Sequence, residues 1–279
     1  MTVSLVTYRH SLSAVRAIVD AVMKSGNVER FYVVDNAGET GFKAELAAVY
    51  PQIEYIPLDN PGFGAAHNVA IRKAMEAGSK YHAVVNPDID FKPGTLERVA
   101  AFMVENSDVG LVMPKTVNPD GTMQYNAKLL PTPWDSFGRR FLPKRWTARR
   151  NRRYELRDAD HDRTFDCGYL CGCFLVFRLE CLKEVGLFDE RYFMYPEDID
   201  ISRRVYTSRW RSVYFVGAEV VHAHEAASYK NWRMTWIHIK NMVKYYNKWG
   251  WFLDTERQRV NREVWAAAML EVRPPDFAS

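Results

Sequence analysis

An α/β fold with a mostly parallel central sheet flanked by helices is the fold class this sequence predicts. Three observations point to it. Short β-branched runs alternate with helix-period segments through residues 1–90. Polar residues cluster where the runs stop. At 279 residues and 47% hydrophobic content, the chain can also bury a substantial core, as one large domain with an appendage or as two small ones.

The elements follow in order. Val3–Tyr8 is a β-branched run, and Leu12–Ser25 carries Val15, Ile18, Val19 and Val22 at helical spacing. Arg30–Asp35 is a second strand ending in an acid, Phe42–Tyr50 a helix, and Ile53–Leu58 a third strand. A Gly-Phe-Gly turn introduces a helix over Ala65–Ala77, and Tyr81–Val85 is a fourth strand stopped by Asn-Pro-Asp. Ligands of such sheets gather at the carboxyl ends of the strands. Thr7, Tyr8, Asp35, Asn36, Asn60 and Asp88 fall there.

Charge and composition narrow the classes. A net charge of +4 and a pI near 8.8 suit anionic substrates, a membrane surface or nucleic acid. No recognised binding motif accompanies the basic residues, so nucleic acid is not an expected partner. No cationic region followed by an apolar stretch and a cleavage site opens the chain, and no run reaches the ~18 apolar residues of a span. The expected location is cytoplasmic. Cys167, Cys171, Cys173 and Cys181 match neither zinc nor disulfide spacing, and their apolar neighbours make them reduced, buried thiols, with metal binding the alternative. Arg139–Arg157 holds nine basic residues against Glu155 alone, which reads as a mobile surface insertion with acceptor or membrane contact as further roles.

Three segments carry chemistry. Asn86-Pro87-Asp88-Ile89-Asp90 ends the fourth strand with two carboxylates, oxygen ligands of the kind Mg²⁺ or Mn²⁺ prefers. An ordinary turn is the other reading of Asn-Pro-Asp. Asp59–Asn68 is a Gly-rich turn into a helix, where bare backbone permits close approach. Tyr195-Pro196-Glu197-Asp198-Ile199-Asp200 sets three acids beside apolar residues, which makes a carboxylate more basic. A capped helix start is the alternative. Asp200 with Arg203 and Arg204 reads as a structural ion pair. Further on, His222 and His224 follow a strand-like run, as a cation ligand or as satisfied strand-end histidines. Tyr229–Leu253 draws as a helix with Trp232, Trp236, Ile239, Val243 and Tyr246 on one side and Lys240, Lys244 and Lys248 on another, for packing or for a membrane headgroup layer.

Taken in order over roughly Val3–Ser228, these motifs resemble the inverting family-2 glycosyltransferases. The resemblance implies a GT-A fold over residues 1–228, with a nucleotide-sugar-binding half (1–90) and an acceptor-binding half (91–228), and a C-terminal amphipathic helical segment over 229–279. It implies that Thr7, Tyr8, Asp35 and Asn60 hold base and ribose. Gly62, Gly64 and Asn68, in Asn-x-Gly-x-x-x-x-x-Asn, would lie against the donor nucleotide. Asp88 and Asp90 would hold the diphosphate through Mg²⁺ or Mn²⁺, with His222 as a further ligand. Asp198 would be the catalytic base and Glu197 its helper.

Among these enzymes the pattern looks most like bacterial rhamnosyltransferases of O-antigen and capsule assembly, through Trp249–Phe252. That implies dTDP-rhamnose as donor, a polysaccharide on polyprenyl diphosphate as acceptor, and an enzyme working at the inner face of the cytoplasmic membrane. A UDP-hexose donor and a catalytically silent carbohydrate-binding scaffold are the alternatives. A sugar nucleotidyltransferase is disfavoured, because Thr7-Tyr8-Arg9-His10-Ser11 lacks glycines. The chain departs from the family pattern in the cysteines flanking Gly172 and in Thr207-Ser208-Arg209-Trp210, where a Gly is usual.

Overall fold

A computed structural model describes residues 1–38, 42–138, 143–223 and 232–269. Strands β1 (Thr2–Thr7), β2 (Arg30–Asp35), β3 (Glu54–Pro57) and β4 (Tyr81–Val85) lie parallel in the order β3–β2–β1–β4. Helices α1 (Leu12–Met23), α2 (Phe42–Val49) and α3 (Phe63–Glu76) make the crossovers. The Ser11 side chain accepts from the Ala14 N–H to start α1, and Val15, Ile18, Val19 and Val22 bury one face of it. The carboxyl ends of β1, β2 and β4 therefore open on one edge.

Past β4 the sheet becomes mixed. β5 (Ile89–Phe91), α4 (Thr95–Glu105), β6 (Val109–Val117), β7 (Ala127–Lys128), α5 (Lys144–Tyr154), β8 (Phe165–Asp166), β9 (Tyr169–Leu170) and β10 (Phe174–Arg178) follow in the chain. Then come α6 (Leu179–Val185), α7 (Glu197–Tyr206), β11 (Arg211–His222), α8 (Trp232–Trp249) and α9 (Thr255–Met269). β10 inserts antiparallel between β4 and β6, β6 runs parallel to β11, and β5 and β8 pair antiparallel with β11. β7 and β9 form a separate two-stranded ribbon. Parallel pairing dominates only where helical crossovers enforce it; β10 arrives by a long excursion that imposes no such sense.

Three local expectations are corrected. The basic run forms α5 rather than a loose insertion. Its charge is dispersed: Arg150 pairs with Asp135, Arg152 with Asp158, Arg157 with Glu155, and Arg153 stacks on Trp265. Arg139 and Arg140 lie outside the described residues. The buried face of α8 is Asn241, Met242, Tyr245 and Tyr246, while Trp232 and Trp236 are 78% and 53% exposed. Only the C-terminal half of that helix rests on the core. Finally, Arg203 does not serve Asp200. Its guanidinium grips Asp254 through two bonds of 2.7 and 2.8 Å and stacks on Trp249. Asp200 holds Arg204 at 2.8 Å, Lys248 at 2.6 Å and the Trp249 Nε1–H at 2.8 Å. Residues of α7 thus fasten α8 and the start of α9 to the sheet.

All four cysteines are free, and three of them are buried. No described helix is long and apolar enough to cross a membrane.

Candidate active site

The first turn of α7 supplies the two carboxylates. Asp198 Oδ2 accepts from the Gly172 N–H at 2.9 Å, and Oδ1 accepts from the Ile199 N–H at 2.8 Å. Burial pushes the Asp198 carboxyl above its usual range; those two amides and the charge of Lys128 pull only part of the way back. Asp198 nevertheless keeps an open edge toward solvent. Glu197 is 3% exposed, and its Oε2 has no partner among the described residues. Burial, then the negative charge of Asp198, raises its carboxyl further still. Two adjacent buried acids cannot both ionise readily, so the pair has proton affinity near neutral pH.

The Gly-rich turn closes against this block. Asn60 has φ +46° and Gly62 φ +108°. A Cβ on Gly62 would stand 2.4 Å from the Phe193 carbonyl oxygen, the atom that accepts from the Phe63 N–H at 2.9 Å. A Cβ on Gly64 would meet Phe188 at 2.8 Å and Glu197 at 3.4 Å. Asn68 is fully buried and its amide is engaged throughout: Nδ2 donates to the Phe188 carbonyl and to Glu190, and Oδ1 accepts from the Phe188 N–H. It acts as a clasp between α3 and the loop before α7. Direct contact with a nucleotide was its expected part; the clasp explains its burial.

The strand ends form a polar floor. Thr7 Oγ1, Asn36 Oδ1 and Asn86 Oδ1 are buried without a partner among the described residues, at the ends of β1, β2 and β4. Unsatisfied buried polar atoms are costly unless a ligand completes them. Asp35 accepts from the Ala37 N–H and from the Tyr55 hydroxyl at 2.7 Å. Tyr8 is 47% exposed under the Arg9 guanidinium, a ring free to stack.

Asp88 and His222 meet across the sheet edge, Oδ2 to Nε2 at 3.2 Å. Gln124 fixes the ring. Its Nε2 donates to the His222 carbonyl and to Asn118 Oδ1, leaving Oε1 to accept from His222 Nδ1 at 2.9 Å. Nε2 is then the ring nitrogen turned to the carboxylate, and the two together are a donor pair of the kind a divalent cation takes. No cluster of three or more His, Cys, Asp or Glu occurs among the described residues, so such an ion would take its remaining ligands from water and phosphate. Asp90 sits on edge strand β5 between the buried Ile89 and Phe91, turned to solvent, with Oδ1 accepting from the Phe91 N–H. His224 and the loop to Ser228 lie outside the described residues.

The loop Cys171-Gly172-Cys173 joins the two centres. Gly172 binds Asp198, while the Cys173 carbonyl accepts from the Asn86 N–H at 2.9 Å. Both Asp88 and Asp198 act on the Cys173 thiol through their charge. One three-residue loop therefore ties the predicted cation turn to the predicted base. Sequence reasoning missed Gln124, Phe193 and Lys128. Lys128 comes in through the β7–β9 pairing, Gln124 through bonds to β6 and His222, and Phe193 through its carbonyl on Phe63, none of them readable locally.

The sequence profile of the family described as "Glycosyltransferase like family 2" matches residues 2–247. The N-acetylglucosaminyl-diphospho-decaprenol L-rhamnosyltransferase of Mycobacterium tuberculosis is 31% identical over 211 residues, covering 70% of this chain and 66% of that protein. The chain thus spans just under two thirds of that relative's length. A low-salt glycan biosynthesis hexosyltransferase of Haloferax volcanii is 23% identical over 181 residues, covering 63% of this chain and 53% of that protein. Among solved structures, a mannosyltransferase from Pyrobaculum calidifontis in complex with GDP-Man and Mn²⁺ superposes with a TM-score of 0.58 at 17% identity, over 88% of this chain and 63% of its own. GalNAc-T7 with UDP, GalNAc and Mn²⁺ gives 0.58 at 13% identity, over 79% of this chain and 43% of its own. The fold is that of GT-A glycosyltransferases.

Proposed function

The chain belongs to glycosyltransferase family 2, and from that premise we propose that it performs an inverting transfer of a sugar, L-rhamnose in the first instance, from a nucleoside diphosphate to a hydroxyl of a lipid-linked glycan. The observation that carries this reading is the Cys171–Cys173 loop, with Asp198 bonded to one side and the Asp88 turn to the other. Asp198 takes the proton of the acceptor hydroxyl as that oxygen attacks the anomeric carbon from the face opposite the leaving nucleotide. No covalent enzyme intermediate is needed. Glu197, whose affinity for a proton is raised by burial first and by the charge of Asp198 second, holds Asp198 or the acceptor in place. Thr7, Tyr8, Asp35, Asn36 and Asn60 receive base and ribose, and Gly62 and Gly64 keep the turn close to the cleft.

Asp88 and His222 would hold Mg²⁺ or Mn²⁺, with Asp90 the third candidate. Such an ion neutralises charge on the departing nucleoside diphosphate. A rhamnosyl group and an acceptor on polyprenyl diphosphate are supported by the mycobacterial relative's name, and dTDP is the nucleotide proposed to carry the sugar. A UDP-hexose donor is the second reading. Residues 1–228 serve as the transferase unit, with 1–90 for the donor and 91–228 for the acceptor. The helical segment after 228, with its exposed Trp232 and Trp236, rests against the inner face of the cytoplasmic membrane.

The test is nucleoside diphosphate release from a panel of nucleotide sugars with acceptor and either ion. Release that needs the ion and vanishes in Asp198→Asn supports transfer. Binding without turnover across the panel overturns it. If His222→Ala alters neither the ion requirement nor donor affinity, the cation assignment fails.

A further inference from the structure

One cation in the cleft has no part in the scheme above. Lys128 ends β7, opposite Tyr169 of β9, and its ammonium lies 5.8 Å over the Tyr169 ring. It is half-buried, and no carboxylate stands within 4 Å of it among the described residues. Its side chain is hydrogen-bonded to the Cys171 thiol, immediately before Gly172, and its charge reaches the Asp198 carboxylate. Asp88 of the Asp88–His222 pair follows the Asn86 amide, which donates to the Cys173 carbonyl at the other end of that loop. Beyond Lys128, the Leu129 N–H donates to the Tyr154 carbonyl at 3.0 Å, which joins β7 to the end of the arginine-rich helix α5. The basic character of α5 thus continues inward to a single ammonium beside the base.

A half-buried lysine loses hydration, and a nearby carboxylate ordinarily compensates it. Asp198 cannot be that permanent partner, since it must stay available for the acceptor proton. The arrangement suits an anion that arrives with the acceptor. Lysine serves phosphate as a compact point charge. We propose that Lys128 is a specificity-determining residue that binds the diphosphate of the acceptor substrate, on the opposite side of the Cys171–Cys173 loop from the donor diphosphate. This rests on the acceptor class proposed above. A glycan whose reacting hydroxyl lies one sugar away from a diphosphate presents proton and charge to Asp198 and Lys128 together. A neutral glycoside offers Lys128 nothing.

Equilibrium binding tests this without turnover, and so independently of the base assignment. The probes are N-acetylglucosaminyl diphosphate carrying a short alkyl chain, the matching neutral alkyl glycoside, and the nucleotide sugar. Wild type is expected to prefer the diphosphate probe, and Lys128→Met to lose about ten- to a hundredfold in affinity for it. Lys128→Arg should retain most of the preference. The neutral glycoside and the nucleotide sugar should bind wild type and Lys128→Met alike, which also reports an intact fold. An equal affinity of wild type for both acceptor probes overturns the proposal. So does a preference that survives in Lys128→Met, or a loss that falls on the nucleotide sugar instead.

Discussion

The acids in and around helix α7 fall into two sets, and their surroundings are opposite. Asp200 is met by Arg204, Lys248 and the Trp249 indole, and Asp254, pulled in from the start of α9, by the Arg203 fork. Glu197 and Asp198, three and two residues before Asp200, receive backbone amides, with the more remote charge of Lys128 acting on Asp198, and no ion pair among the described residues. Cations make the first set a latch. Their scarcity makes the second set reactive, because an unpaired buried carboxylate keeps its affinity for a proton.

Asp254 and the Glu197–Asp198 pair should answer pH with opposite signs. Burial raises Glu197 and Asp198 above their unfolded values, so the folded state binds protons more tightly and stability declines as pH rises from about 4 toward neutrality. For Asp254, burial works upward but the Arg203 bonds win and hold it below its unfolded value. Its contribution is present above about pH 4 and fades as pH falls below that.

Experiments can break this contrast at either end. The largest effect is expected on turnover: Asp198→Asn should lower kcat by about 10²- to 10⁴-fold in a nucleotide-release assay, with an unchanged circular dichroism spectrum. Residual activity near wild type would remove Asp198 from the chemistry. On the latch side, Arg203→Ala leaves the buried Asp254 with the Arg257 amide and the Arg257 guanidinium at 3.7 Å, and should cost about 3 kcal/mol, read as a lowered urea midpoint at pH 7. If the midpoint does not move, the fork is not structural.

Glu197→Gln should do the reverse, raising stability at pH 8 by about 1–2 kcal/mol while changing little at pH 4. Urea curves at both values check the sign, and a destabilised variant at pH 8 contradicts it. The smallest change belongs to Lys248→Met. Arg204 and Trp249 stay on Asp200 there, so about 1 kcal/mol is expected, and a much larger loss would show the latch to be cooperative.

Legibility divides along the same line. The boundaries of β2 and β4 could be read directly, because β-branched runs stop at Asp35 and at Asn86-Pro87. The residues at those stops do line the cleft, since parallel strands bring their carboxyl ends together. Asn68 was visible as part of a motif, but its work as a clasp on Phe188 lies 120 residues away. Arg203 was assigned a neighbour on its own helix and found one on a later element instead. The basic run reads as self-repelling, yet it forms α5, with Arg150 on Asp135, Arg152 on Asp158 and Arg153 on the Trp265 ring.

By itself the sequence determined the alternation of strand and helix, the polar stops at the strand ends, and an acidic helix start placed after an aromatic-rich loop and a Pro. Each of these is encoded within a few neighbouring residues, where sterics and periodicity act. Only the tertiary structure decided which acids meet cations and which do not. That depends on antiparallel β10 carrying Gly172 to Asp198, on Gln124 turning His222 toward Asp88, and on β7 bringing Lys128 beside the base. The charge state of a carboxylate is set by what folding packs against it from distant parts of the chain.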